Sequence, residues 1–196
     1  RDLTVTGVQT CALPISNMVG GCSFTPQHAS DTLVVAQRLV SLISEKGKLG
    51  EALSILKNEM IGSYCFTFLS DDSSVYAARD PRGFRPMVMG KKEDGKTHII
   101  ASESSALSAI GAKLERDVIP GELIKLSKNG VETEMFSSET YRAHCSFEFT
   151  YFAHPSSKME GSNIYVARKN IGRYLAKKFP FKDADLVIPV DRKSVV

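Results

Sequence analysis

The chain has 196 residues, enough for one domain or a domain and a half, and its 42% apolar and 24% charged content is that of a folded protein rather than a disordered one. The net charge of +3 comes from lysines and arginines spread along the chain, with no basic block or basic-aromatic patch, so it reads as solvated surface and not as a nucleic-acid contact. No apolar run approaches the roughly 20 residues of a membrane helix, no basic and apolar leader is visible, and four separated cysteines without a CxxC pair point to a reducing, cytoplasmic setting rather than a disulfide scaffold.

The opening stretch, RDLTVTGVQTCALPIS, shows no sustained helical or strand period before the break at Pro14. VTGVQTCALPI (5–15) and DRKSVV (191–196) both resemble the translation of a common short-read sequencing adapter. Residues 1–16 and 191–196 are therefore expected to be adapter-derived and are excluded from fold reasoning. Cys11 falls among them and is not read as a nucleophile. The natural stretch is then 17–190, with a net charge of +2 once Arg1, Asp2, Asp191, Arg192 and Lys193 are removed.

Ser30 and Asp31 are helix N-cap types, and the apolar positions Val34, Val35, Leu39, Leu42 and Ile43 follow them. Gly47 ends that helix. Leu49, Ala52, Leu53, Leu56 and Met60 make a second helical stripe. SYCFTFL reads as a buried strand, DDSS as a turn and VYAAR as a second strand. DPRG is a turn in which Pro81 presets φ and Gly83 can take a positive one. MVMG and HIIAS are strands around the turn KEDGK, SSALSAIG is a short helix, and further short strands are divided by PGE and KNG. A helix pair followed by an antiparallel meander is an α+β arrangement. The character shifts near 142–144. CSFEFTYFA reads as an aromatic-rich strand, HPSSKMEGS as a polar loop, and NIYVARKNIGRYLAKKF as an amphipathic helix with Ile164, Ala167, Ile171 and Leu175 on one side. DADLVIPV then reads as a strand of the kind buried in a parallel sheet. The domain expectation is 17–143 for the first and 144–190 for the start of an α/β second.

Arg79, Asp80 and Arg85 flank the DPRG turn. They are read as a turn-forming Asp with arginines solvated or paired to carboxylates, or else as contacts to substrate or to the other domain. Cys22 and Cys65 read as a loop thiol and a core thiol. His28, His98, His144 and His154 have no metal-ligand spacing. The stripe Ile164, Ala167, Ile171 reads as core.

In order along the chain, SDT (30–32), RDPRGFRPMVMG (79–90), ASES (101–104), PGE (120–122), CSFEFTYFAHPSS (145–157) and YVARKNIG (165–172) resemble the amidophosphoribosyltransferases across nearly all of 17–190. RDPRGFRP is the most discriminating, since the related sugar-phosphate aminotransferases do not share it. The resemblance implies an N-terminal-nucleophile (Ntn) glutaminase αββα sandwich followed by the start of a type I phosphoribosyltransferase domain. It implies a glutamine-dependent enzyme that makes 5-phosphoribosylamine, glutamate and pyrophosphate from glutamine, phosphoribosyl pyrophosphate and water, with magnesium (Mg2+), as the first step of purine biosynthesis. In the family an N-terminal cysteine attacks the glutamine amide, its own amino group acts as base, and an oxyanion hole holds the intermediate. Those residues are expected before residue 17, and the phosphoribosyl-pyrophosphate loop after residue 190, so the chain as written is expected to be inactive alone.

By the same resemblance, Asp31 is the residue that binds the α-ammonium of glutamine, unless it merely caps its helix. Cys145 matches a cysteine that in many members is one of four thiolates holding a 4Fe-4S cluster, and is otherwise a buried thiol at a domain seam. Purine nucleotides as feedback inhibitors and a homo-oligomer are further implications. Leu33, His154 and Ser156 depart from the usual Glu, Arg and Asp, changes that loops tolerate. The alternatives are another Ntn-type glutamine amidotransferase, such as glutamine–fructose-6-phosphate aminotransferase, and a non-catalytic regulatory module.

Overall fold

The computed structural model describes residues 3–10, 31–181, 184–186 and 188, with side chains from residue 32 onward. Two helices lead the chain, α1 (Asp31–Lys46) and α2 (Leu49–Glu59), broken at Gly47, where φ is +80°. Strands follow at β2 (Tyr64–Ser70), β3 (Val75–Arg79), β4 (Val88–Lys92) and β5 (His98–Ala101), counting an earlier strand β1 (Leu3–Thr10). A short helix α3 (Ser104–Ala109) leads into β6 (Ala112–Asp117), β7 (Glu122–Ser127) and β8 (Gly130–Met135). Each of the expected helices and strands up to residue 135 is present.

The strands form two antiparallel sheets, one ordered β1-β2-β3-β7-β8 and one ordered β5-β4-β6. Alternation along each strand decides which layer it faces. Tyr64, Phe66 and Phe68 on β2, Ala78 on β3 and Leu123 on β7 pack against Val35, Leu39, Leu42, Ala52, Leu53 and Leu56 of the helix pair. Their neighbours Cys65, Ala77 and Ile124 point the other way and meet Met87, Met89 and Val118 of the second sheet. Val88, on the far face of β4, packs with Leu107 of α3. Helix pair, sheet, sheet and helix stack in that order, which is the αββα sandwich expected. Adjacent phenyl rings brace β2, with Tyr64 and Phe66 stacked at 4.4 Å.

Four expectations need correction. The opening stretch shows no strand period, yet the backbone of β1 pairs antiparallel with β2, from Leu3 opposite Ser70 to Thr10 opposite Tyr64, with an irregularity between Val5 and Gly7. A free strand edge offers unpaired N–H and C=O groups that any extended segment satisfies, whatever its side-chain pattern.

The aromatic-rich segment is not a strand but a π-helical turn, Glu148–Phe152. Its inward residues, Cys145, Phe149 and Ala153, recur at helical spacing, while Phe147, Tyr151 and Phe152 face outward. The polar loop after it contains a small hairpin, β9 (Lys158–Met159) with β10 (Ser162–Asn163).

Helix α4 (Ile164–Lys178) forms as expected, and the Asn163 side chain accepts from Val166 N at its start. The stripe read as core, however, is buried only at Ile164, while Ile171 and Leu175 are exposed. Of the final expected strand, Ala184, Asp185, Leu186 and Ile188 are described and none is in a strand, with Leu186 and Ile188 exposed. A buried parallel strand needs neighbours on both edges and cover on both faces, and the described residues provide neither. The rest of that segment, and the readings of Cys11, Cys22, His28 and Ser30, lie outside the described residues. No helix among the described residues is long and apolar enough to cross a membrane.

Candidate functional site

The motif RDPRGFRP spans the end of β3 and the connection into β4, so the meeting of the two sheets positions it. Gly83 turns at φ +57°, and its N–H donates to the Asp80 carbonyl at 2.9 Å. A Cβ there would lie 2.6 Å from Pro120 Cγ, in the PGE turn that abuts it. Asp80 is buried, and its carboxylate accepts from Arg82 N at 2.9 Å and Phe84 N at 3.2 Å. Burial holds its pKa above the ordinary value despite those donors. It is the turn-forming Asp of the first reading.

The two arginines are not solvated. Arg79 is 1% exposed. Its guanidinium donates to the carbonyls of Arg85 (2.8 Å), Val118 (2.6 Å) and Gly83 (2.9 Å), and Nη1 lies 2.7 Å from Glu160 Oε1 without hydrogen-bond alignment. Arg85 pairs with Glu148 at 2.5 Å and lies 5.2 Å from the centre of the Phe152 ring. The first reading therefore holds in its paired form. The arginines are paired to carboxylates, and those carboxylates belong to the stretch after residue 144.

Sequence reasoning missed these partners. Glu148 carried a signal, a lone carboxylate inside the aromatic run FEF, because a charge among apolar residues is kept only when paired. Glu160 carried none, since a Glu-Gly turn in a polar loop is unremarkable.

More contacts close the same seam. Ala143 N donates to Arg82 O at 2.9 Å and Cys145 N to Phe84 O at 3.1 Å. The His144 ring nitrogen Nδ1 lies 3.1 Å from Gly83 O, and Nε2 lies 3.7 Å from Glu160 Oε2. Glu103, from the ASES phrase, accepts from Ser157 Oγ at 2.8 Å and His154 N at 2.7 Å. His154 and Ser156, the departures from the family pattern, bond to each other at 2.8 Å and keep the turn closed.

On the opposite side of the turn, Lys57, Tyr64, Asp80, Arg82, Ser137 and Thr140 line a cavity of about 340 Å³. The hydroxyls of Tyr64 and of its neighbour Ser63 are buried without a partner among the described residues. Burial pushes the Tyr64 phenol up, so it stays a neutral donor.

Of the predicted site residues, Asp31 is the first residue of α1, and its side chain lies outside the described residues. Cys145 is a buried free thiol in the seam. A 4Fe-4S cluster takes four thiolates. Cys65 cannot be a second ligand, because its Sγ lies between the sheets, 3.7 Å from the Arg85 and Pro86 carbonyls, and burial pushes the thiol up to about 12. The described residues thus fit one corner of a cluster at most, and among them no group of three or more His, Cys, Asp or Glu side chains could hold a metal ion.

Residues 18–109 match the model of a glutamine amidotransferase domain. The chain is 39% identical over 166 residues to an amidophosphoribosyltransferase of Archaeoglobus fulgidus, covering 85% of this chain and 35% of that protein. It is 36% identical to that of Methanothermobacter thermautotrophicus, with 85% and 34% covered, and 34% identical to that of Bacillus subtilis, with 86% and 34% covered. The solved structure of an allosteric regulatory enzyme of purine biosynthesis superposes with a TM-score of 0.79 at 29% identity, covering 92% of this chain and 38% of that one. The glutamine phosphoribosylpyrophosphate amidotransferase of B. subtilis, complexed with ADP and GMP, superposes with a TM-score of 0.78 at 29% identity, with 92% and 39% covered. The chain spans about a third of the length of the curated relatives it matches.

Proposed function

Because this chain belongs to the amidophosphoribosyltransferase family, we propose that the intact protein carries out that family's reaction. Glutamine, phosphoribosyl pyrophosphate and water give 5-phosphoribosylamine, glutamate and pyrophosphate. The observation that carries this reading is the αββα sandwich built from the ordered motifs, RDPRGFRP among them, on which the glutamine amidotransferase match falls. Residues 17–143 are the glutaminase part and 144–190 the start of the phosphoribosyltransferase part. The change from the sandwich to a segment held only at its seam supports that division. The match beginning at residue 18 supports leaving 1–16 outside it. Cytoplasmic location, a homo-oligomer and control by purine nucleotides belong to the same reading. A relative solved with ADP and GMP supports the nucleotide part.

Within this chain, Asp31 is the residue that recognises glutamine. Glutamine carries an α-ammonium that most competing amides lack, and a carboxylate at the start of α1 distinguishes it by a charge-assisted hydrogen bond. Cys145 would hold one iron of a 4Fe-4S cluster, whose chemistry when bound is that of thiolate-held iron. Iron and sulfide measured in anaerobically purified full-length protein test that assignment, and active protein without iron refutes it. Magnesium enters with phosphoribosyl pyrophosphate.

The test of the function is Asp31→Asn in the full-length enzyme, since Asn caps a helix about as well as Asp. Loss of a hydrogen bond to a charged group, roughly 1.5–3 kcal/mol, weakens glutamine use about ten- to a hundredfold. Synthesis from free ammonia continues. If both nitrogen sources fall together, or neither does, Asp31 is a structural residue. An unmutated enzyme that releases no pyrophosphate with glutamine overturns the function itself. The 196-residue chain alone is expected to release neither glutamate nor pyrophosphate.

A further inference from the structure

Arg79, as deeply buried as any charged side chain among the described residues, is fastened to a residue held in an unfavourable backbone conformation. Glu160 sits at φ +49°, in the two-residue turn between β9 and β10. Non-glycine residues are uncommon in that region, and Asn or Gly would occupy it with less strain. A carboxylate is nonetheless placed there, and each of its oxygens faces a basic group of the seam. Oε1 lies 2.7 Å from Arg79 Nη1 and Oε2 lies 3.7 Å from His144 Nε2. The Glu160 backbone N–H donates to Asp117 Oδ1 at 3.1 Å, so the hairpin is also tied to the end of β6.

Arg79 is bound to three carbonyls of the surrounding loops, those of Gly83, Arg85 and Val118. A displacement of the hairpin therefore pulls on a guanidinium that cannot move without moving the 80–85 turn. The second ion pair of the seam, Arg85–Glu148, differs in kind. It is a direct hydrogen bond at 2.5 Å, whereas Arg79 and Glu160 are in charge contact without alignment. A charge contact of that sort restrains distance more than direction, and so tolerates a small rotation of one part on the other while keeping them closed.

We propose that Glu160 is a positioning residue. Through Arg79 and His144 it keeps the stretch from residue 144 seated on the RDPRG turn, and so ties glutamine cleavage in the first part to ammonia use in the second. The proposal rests on the amidophosphoribosyltransferase reading. Ammonia released in one part and consumed in another is lost to water wherever the junction opens, so a closed seam is a condition of coupling. Loss of the Glu160 charge should leave both reactive centres intact and uncouple them.

The test uses the full-length enzyme and measures glutamate and pyrophosphate release together. In the parent the two are released in equal amounts. With Glu160→Gln, glutamate release exceeds pyrophosphate release severalfold, synthesis from saturating ammonia is unchanged, and Glu160→Asp restores part of the coupling. Because Glu160→Gln leaves a buried arginine without its counter-charge, His144→Gln serves as the second variant. It removes one of the two contacts from a partly exposed side chain and gives a smaller excess in the same direction. Equal release in folded Glu160→Gln, or in His144→Gln should the first variant fail to fold, overturns the proposal. So does a parallel fall of the glutamine and ammonia reactions, which is what a merely structural residue would give. A parent that shows no glutamine-dependent pyrophosphate release refutes the underlying function instead, and the two failures are thereby told apart.

Discussion

Helices α2 and α4 carry apolar stripes of similar regularity and meet different fates. Ala52, Leu53 and Leu56 of α2 are all 0% exposed, closed in between α1 and the sheet. On α4 only Ile164 reaches that state, and Leu175 is 57% exposed. What holds α4 in place is polar. Asn163 caps its start, and Arg168 donates to the carbonyls of Phe149 and Ala153 at 2.8 Å each. The difference teaches that helical periodicity fixes which face of a helix is prepared for burial, while a second surface must be present before burial contributes anything.

The contrast can be broken or sharpened by substitution, read as shifts in unfolding free energy of this chain. The largest effect is expected in the closed region. Phe66→Ala, beneath α1 and α2, stacked on Tyr64 and tilted against Phe68, should cost about 3–5 kcal/mol in urea unfolding. A cost below about 1 kcal/mol would mean that the helix layer is not packed as described. Gly83→Ala comes next, at least about 2 kcal/mol, because a positive φ and a Pro120 ring within 2.6 Å both oppose the methyl group. Gly47→Ala, at φ +80° with open space around it, should cost only about 1 kcal/mol, and equal losses at the two glycines would remove the close approach from the account.

Ion pairing on the closed side is a smaller matter. The hydrogen bonds from Arg38 hold the Glu59 carboxyl below its ordinary value of 4.5. A depressed carboxylate contributes stability above its unfolded pKa, and that stability is lost as pH falls through the folded value. The partly exposed pair contributes at most about 1 kcal/mol. The difference in stability between parent and Glu59→Gln should therefore be present at neutral pH, shrink as pH falls below 4.5 and vanish once the lower folded value is passed; a difference that stays constant through that acid range would contradict it. The smallest effect belongs to the open side. Leu175→Ala should stay within about 0.5 kcal/mol. A loss as large as that of Phe66→Ala would show that the face is covered in solution by residues outside those described.

Much of the sandwich was legible because its periods are local. Val35, Leu39 and Leu42 repeat at helical spacing, and Tyr64, Phe66 and Phe68 alternate, so each segment announces its own element and its buried face. The turn at Gly83 was legible from Pro81 and Gly83 alone. The segment 145–153 was misread as a strand because aromatic content outweighed the four-residue spacing of Cys145, Phe149 and Ala153. Of the candidate site residues, Asp31 and Cys145 were reached by the ordered motifs, not by any local chemical pattern.

By itself the sequence determined the helices, most of the strands, the turn residues and the family to which they belong, since these rest on patterns within a few residues of one another. Only the tertiary structure decided that Arg79 is buried and Arg85 partly so, and that Glu160 and Glu148 are their partners. Those pairs are separated by 81 and 63 positions along the chain. No periodicity acts over such spans. A charge chooses its counter-charge by distance in space and by the loss of water around it, and both are set only when the layers and the hairpin have come together.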